Sequence, residues 1–120
     1  MNIVVLKGRV SSSPVERELA SGSRLLSLEV TTRSDDGVAM SAPVGWFDPP
    51  ASARFEEGDE VVVLGEVRRR FFRSMGGTQS RTEVVALEVV SSRSKRKVER
   101  VLQLAARRLG DDSAVALRSP

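Results

Sequence analysis

Hydrophobic and polar positions alternate along most of the chain with a period of two, as they do in strands that bury one face. Leu25 to Arg33 is the cleanest case. Leu26, Leu28 and Val30 fall on one side, and Ser27, Glu29, Thr31 and Arg33 on the other. Ile3 to Val10 alternates as well, with Val4, Leu6, Gly8 and Val10 on the interior side and Ile3, Val5, Lys7 and Arg9 opposite. Val38, Met40, Ala42, Val44 and Trp46 share a parity that assigns Trp46 to the core, while Ser41 and Phe47 take the other side. Pro43 lacks a backbone donor, so this strand is expected to be bulged or at an edge there. Val61 to Leu64 is an unbroken apolar run, the pattern of a strand covered on both faces. After Val67 arginine and phenylalanine take over, so the strand is expected to start inside the fold and end outside it. Met75-Gly76-Gly77 predicts a hairpin turn, and Thr82 to Val90 the returning strand.

The segments between these strands carry breaking signals. Ser11-Ser12-Ser13-Pro14 ends the first strand, Val15 to Leu19 reads as a short extended piece, and Ser21-Gly22 and Ser34-Asp35-Asp36-Gly37 are turns. Ala51 to Glu57 is assigned one or two helical turns, with Asp48 as its N-cap and Gly58 at its C-terminal cap. Five such strands, with a small helix between the third and fourth, predict an all-β Greek-key barrel of the OB type. Residues 1–91 form that domain. Residues 92–120 form a basic tail: Ser91 to Lys97 as a linker, then a helix over 98–109 with a stripe of Val98, Val101, Leu102, Ala105 and Leu109. Gly110 is expected to stop this helix, and 111–120 to be disordered.

A chain of 120 residues with 40% hydrophobic content suits one domain with a real core. No apolar run approaches a membrane span, and no signal peptide is visible at Met1-Asn2-Ile3. A cytoplasmic, nucleoid-associated location is therefore expected. Histidine and cysteine are both absent, which removes the usual nucleophile–base pairs and zinc sites. The carboxylates are scattered and no phosphate loop is present, so neither an enzyme nor a cofactor is expected. Charge is unevenly placed. Residues 1–91 hold 11 Lys and Arg against 13 Asp and Glu, and residues 92–120 hold 8 against 3. Any nucleic-acid footprint in the barrel must then come from local clustering.

The candidate chemistry lies where rings meet arginines. Phe72 shares parity with Arg68 and Arg70, and Arg73 follows; Phe47 lies on the polar side of its strand. These suit stacking on unpaired bases with phosphate contacts beside them. Lys7 and Arg9 share a face at the end of the first strand, and Arg33 ends the second; these three are further phosphate candidates. Phe71, of opposite parity, is expected to pack, and Phe55 to anchor the small helix. Arg81 lies near the hairpin's return, and Lys95-Arg96-Lys97 can add phosphate affinity or serve as a soluble linker.

In order and spacing, these residues resemble the bacterial single-stranded DNA-binding proteins. The likeness runs from Met1-Asn2 and Gly8 through Pro14, Ser21-Gly22 and Leu28-Glu29-Val30-Thr31-Thr32. It is strongest at Gly58-Asp59-Glu60-Val61 and Gly65-Glu66-Val67-Arg68-Arg69-Arg70-Phe71-Phe72, where the family reads G-S-x-V…G-x-L-R-x-R-x-W. It covers residues 1–91 and is most like an actinobacterial second copy. The resemblance implies an OB barrel, usually a homotetramer, that coats single-stranded DNA in replication, repair or recombination with little sequence preference. It places Phe72 on a family tryptophan and Phe47 on a family phenylalanine. Two further aromatic positions of the family fall near Ser34 and on Ser41, which carry no rings. The family's acidic, Pro-Phe-ending tip is replaced by Leu117-Arg118-Ser119-Pro120, so the likeness brings no protein recruitment through such a tip. Two alternatives stay open: a dimeric accessory factor of the primosomal replication protein N type, and an adaptor that uses the barrel for assembly without strong DNA binding. RNA also stays open, since stacking does not read the sugar.

Overall fold

The computed structural model describes the backbone of residues 1–118 and the side chains of residues 1–110. Six strands and one helix follow in the order β1 (Val4–Val10), β2 (Val15–Glu18), β3 (Arg24–Arg33), β4 (Ala39–Phe47), β5 (Glu60–Ser74), β6 (Gly77–Ser91) and α1 (Lys95–Arg118). The strands pair in the order β1-β5-β6-β4-β3-β2, and β1 also pairs with β3. The second contact closes β1, β3, β4, β6 and β5 into a five-stranded barrel, consistent with an OB-like architecture. β2, the short extended piece, lies outside the ring on the edge of β3.

Closure depends on two places where strand backbones come close. Arg9 opposes Thr31 and Val10 opposes Val30 where β1 crosses onto β3. A Cβ on the preceding Gly8 would lie 2.4 Å from the Thr31 carbonyl oxygen, so glycine is required at that crossing. A Cβ on Gly65 would lie 2.3 Å from the Val85 carbonyl oxygen, beside the register shift that sets Leu64 opposite Glu88 and Gly65 opposite Ala86. The interior takes Val10, Leu26, Leu28, Val30, Val44 and Trp46 from the predicted rows, with Val4 and Leu6 packed against them. It is completed by Val61 and Val63 of the apolar run and by Val84, Ala86 and Val89 of the returning strand, for which the sequence pattern predicts no row. Met40 shares their parity but lies beyond the end of the core and is exposed.

The helix expected at residues 51–57 is not formed. Turns take its place: the Ala53 amide donates to the Pro50 carbonyl, and the Asp59 amide to the Glu56 carbonyl. Two prolines beside so short a segment leave no room for helix nucleation. The Asp59 carboxylate takes the Glu56 amide at 2.8 Å, closing the turn in which Gly58 sits at φ 96. Asp48 does not cap a helix; at φ 49 its carboxylate accepts from the Arg24 amide at 3.0 Å. Phe55 still packs against the core, without a helix behind it.

Pro43 introduces no bulge, and the β3–β4 register runs unbroken from Leu25 opposite Phe47 to Arg33 opposite Ala39. The Glu29 carbonyl points away from β4 and accepts from the Ser11 amide. Pro43, opposite Glu29, is therefore at a non-hydrogen-bonded position and costs that ladder no bond. β4 meets β6 only at Val44 and Gly45, so Pro43 stands where the pairing begins. In the β3–β4 turn the Ser34 hydroxyl and the Val38 amide hold the Asp36 carboxyl below its ordinary range.

α1 is longer than the predicted 98–109. It begins at Lys95, where the Ser94 hydroxyl accepts from the Lys97 amide, and it runs through Gly110 to Arg118. Gly110 is not at positive φ and does not cap. The expected disorder of 111–120 is thus replaced by helix through 118, and 119–120 lie outside the described residues. Val98, Val101, Leu104 and Ala105 pack on Val62, Leu64 and Val90 from the outside of the barrel, with Ile3 and Leu87 alongside. Leu104 replaces the expected Leu102, which is exposed together with Leu109. No helix among the described residues is long and apolar enough to cross a membrane.

Candidate nucleic-acid interface

β5 and β6 are each 15 residues long, and their outer halves stand beyond the barrel as a two-stranded arm paired from Arg68 opposite Glu83 to Ser74 opposite Gly77. Neither Met75 nor Gly76 is at positive φ; Gly77 is, at φ 109. The tip is therefore not a primed two-residue turn but one closed by a left-handed glycine after two ordinary residues. At the other end of the arm the Asn2 side chain fixes the root. Its amide nitrogen donates to the Val67 carbonyl at 2.7 Å, and its oxygen accepts from the Val67 amide at 2.9 Å. Asn2 extends the β1–β5 ladder by one rung with a side chain in place of a main chain.

Register decides which candidate side chains share a face. Phe72 opposes Gln79, which alternates with Arg81, Glu83 and Val85. Val85 lies beside Gly45, and Gly45 alternates with Phe47. Phe72 and Phe47 therefore lie on one outer face of the sheet, with Arg68, Arg70 and Arg81 between. Eight residue positions separate the two rings, about 26 Å at the rise of a strand. Both are 40% exposed. Phe47 sits in a cross-strand row with Leu25 of β3 and Arg17 of β2. A hollow of about 220 Å³ on this face has Arg17, Ser27, Glu29, Arg70, Arg81 and Glu83 on its walls.

The remaining candidates form a second group and a stray. Lys7, Arg9 and Arg33 converge on a separate hollow of about 380 Å³, with Thr31, Thr32 and Glu60 on its rim. Arg33 also donates to the Gly37 carbonyl at 2.9 Å. Thr31, on the outer row of β3 between Glu29 and Arg33, connects this group to the first, and its hydroxyl shares a 2.9 Å hydrogen bond with Ser41. Arg73, expected beside Phe72, has the opposite parity and lies on the other face of the arm with Arg69 and Phe71. Phe71, expected to pack, is 65% exposed and is the barest ring in the barrel domain.

Electrostatics on the outer face are mixed. Arg68 pairs with Glu66 at 2.8 Å, Arg81 with Glu29 at 3.0 Å, and Arg70 lies 3.7 Å from Glu83, which is only 9% exposed. The exposed Arg68–Glu66 and Arg81–Glu29 pairs contribute about 0–1 kcal/mol each, so a phosphate can displace them at small cost. Drawing Arg70 away instead leaves the nearly buried Glu83 carboxylate without its partner and costs more. Among the described residues Lys7, Arg9, Arg69 and Arg73 have no ion-pair partner. Arg17, which the sequence pattern does not single out, and Arg81, a weaker candidate there, both line this face. Placing either needs the strand register, Arg17 opposite Leu25 and Arg81 opposite Arg70. Among the described residues no group of three or more acidic side chains is placed to hold a metal ion. Trp46 is buried and belongs to the core. No family model matches the chain, and a search of curated proteins finds no match either.

Proposed function

We propose that this chain is an OB-type binding module for single-stranded nucleic acid, DNA in the first instance, that coats exposed strands without reading their sequence. The observation that carries this is the outer face of the arm and barrel. Phe72 and Phe47 are open on one face, Arg68, Arg70 and Arg81 lie between them, and the Lys7–Arg9–Arg33 group continues the cationic line. Rings take unstacked bases, and the guanidinium and ammonium groups take phosphates. In this role the protein binds and does not catalyse. A homotetramer serving replication, repair or recombination follows from the resemblance of residues 1–91 and is proposed on that ground alone.

The test is a titration with an oligo-dT and with a duplex of equal length across a salt series. Single-strand preference is expected, with log K falling by about 0.7 per phosphate contact for each decade of salt. Equal affinity for the duplex, with little salt dependence, would sink the proposal. The ion pairs of Arg68, Arg70 and Arg81 favour one second role, an adaptor whose barrel surface is already neutralised. Phe72→Ala separates the two: an adaptor keeps its weak nucleic-acid affinity unchanged and loses a protein partner instead. Subunit number by sedimentation tests the dimeric accessory-factor alternative, with two subunits favouring it and four favouring the first reading.

A further inference from the structure

The two faces of the arm are not alike. The outer face holds Glu66, Arg68, Arg70, Phe72, Gln79, Arg81 and Glu83, and its acids neutralise its arginines. The inner face continues the interior row of β5: Val61, Val63, Gly65 and Val67 lead on to Arg69, Phe71 and Arg73, opposite Thr82, Ser80 and Thr78. No acidic side chain lies on that inner face, and neither arginine has an ion-pair partner among the described residues. The barrel ceases to cover the row where β4 stops pairing with β6, at Val44 beside Val84. Val67 is left 42% exposed and Phe71 65%. At the root of the row is a gap of about 260 Å³ lined by Val67, Val84, Ala42 and Pro43, with Ser41 and Thr82 at its edge. Glu83 borders this gap, but its carboxylate turns outward to Arg70.

We propose that Arg69, Phe71 and Arg73 form a second contact surface for the same single strand, which then passes over both faces of the arm rather than along the outer one alone. This rests on the single-strand binding proposed above. The charge pattern selects the occupant. A bare ring between two unneutralised arginines, above an apolar slot, matches a polyanion that carries flat apolar groups. A second copy of the arm would bring its own Arg69 and Arg73 against these and be repelled.

The experiment titrates oligo-dT against the wild type, Arg69→Gln/Arg73→Gln, Phe71→Ala and Phe72→Ala over a salt series, with subunit number followed by sedimentation. The double variant is expected to reduce the salt slope by about 1.4, two contacts at about 0.7 each. Phe71→Ala is expected to weaken binding about 5- to 150-fold, the value of one stacked base. These side chains are exposed, so the melting midpoint should not move. If the wild type binds and Phe72→Ala weakens it while the inner-face variants match the wild type, the inner face is overturned and the outer one stands. If Phe71→Ala lowers the subunit number without touching dT affinity, the face seats another copy and the proposal fails. If the wild type shows no preference for dT, single-strand binding itself fails, and this surface with it.

Discussion

Arg81 on the arm donates to Glu29 on β3 at 3.0 Å, joining residues 52 positions apart in sequence. The pair ties the arm's root to the face on which a single strand would lie, and it occupies a cation that a phosphate would need. Both partners are partly exposed, so the pair adds little to folding. Binding must break it, at a cost of up to about 1 kcal/mol. Glu29→Gln is therefore expected to tighten dT binding by up to about fivefold and to steepen the salt slope by about 0.7, one phosphate contact. Thermal stability should change by less than about 1 kcal/mol. A titration beside a melting curve checks both. Weaker binding in this variant would mean that the pair positions the arm rather than competing with phosphate.

Phe47 and Phe72 offer a test of geometry. Their separation along the face, about 26 Å by strand rise, is too great for one base to touch both. Each ring truncated to alanine is expected to cost about 1–3 kcal/mol of binding. Well-separated sites add within about 0.5 kcal/mol, so the double variant should lose the sum. A double-mutant cycle by fluorescence anisotropy with a labelled dT oligomer measures this. A large coupling energy would mean that the rings meet on one base, and that the strand or the arm bends far from a path along this face.

Gly8 sets the closure of the barrel. Its missing Cβ leaves the 2.4 Å approach to the Thr31 carbonyl open, and backbone on both sides cannot move without parting β1 from β3. Gly8→Ala is expected to destabilise the fold by about 1–3 kcal/mol through overpacking. At Gly76, on the arm tip, an added Cβ would meet nothing within 4 Å, and the backbone is not at positive φ. Gly76→Ala is expected to be neutral within about 0.5 kcal/mol. Urea unfolding of the two variants compares them directly.

The period-two pattern carries the strands, their interior rows and the place of Trp46, because one-sided burial is written in single residues. The helix expected at 51–57 fails because its apolar spacing only resembles a turn of helix, while Pro49-Pro50 and the Asp59 side chain favour turns. The site is legible only in part. Phe72 and Arg70 share a face by parity alone, but placing Phe47 on that face requires the β4–β6 register, a non-local pairing that no local pattern encodes. Acidic partners are hidden for the same reason: Glu29 lies 52 residues from Arg81. The stripe on α1 is shifted because the sequence shows an amphipathic helix but not which side of it the barrel takes, and Leu104 rather than Leu102 faces inward.

That choice of side makes α1 separable from the barrel in a measurable way. Val101 is 1% exposed and packs with Val62, Leu64 and Val90. The rest of the helix carries Arg96, Arg100, Arg107 and Arg108 and opens with Lys95, Arg96 and Lys97 at the positive end of its dipole, which opposes helix formation. Its helicity thus depends on the docked stripe, as tertiary contacts usually decide helix stability in water. Val101→Ala removes two methyl groups from the centre of that contact and is expected to cost about 1–3 kcal/mol in transfer and cavity terms. The loss should fall first on α1, as local unfolding confined to the weakest unit. Amide exchange is expected to quicken across 95–109 while β3 and β5 keep their protection, and circular dichroism to show helix melting before the strands. Uniform loss of protection in strands and helix together would show instead that α1 is part of one cooperative core with the barrel.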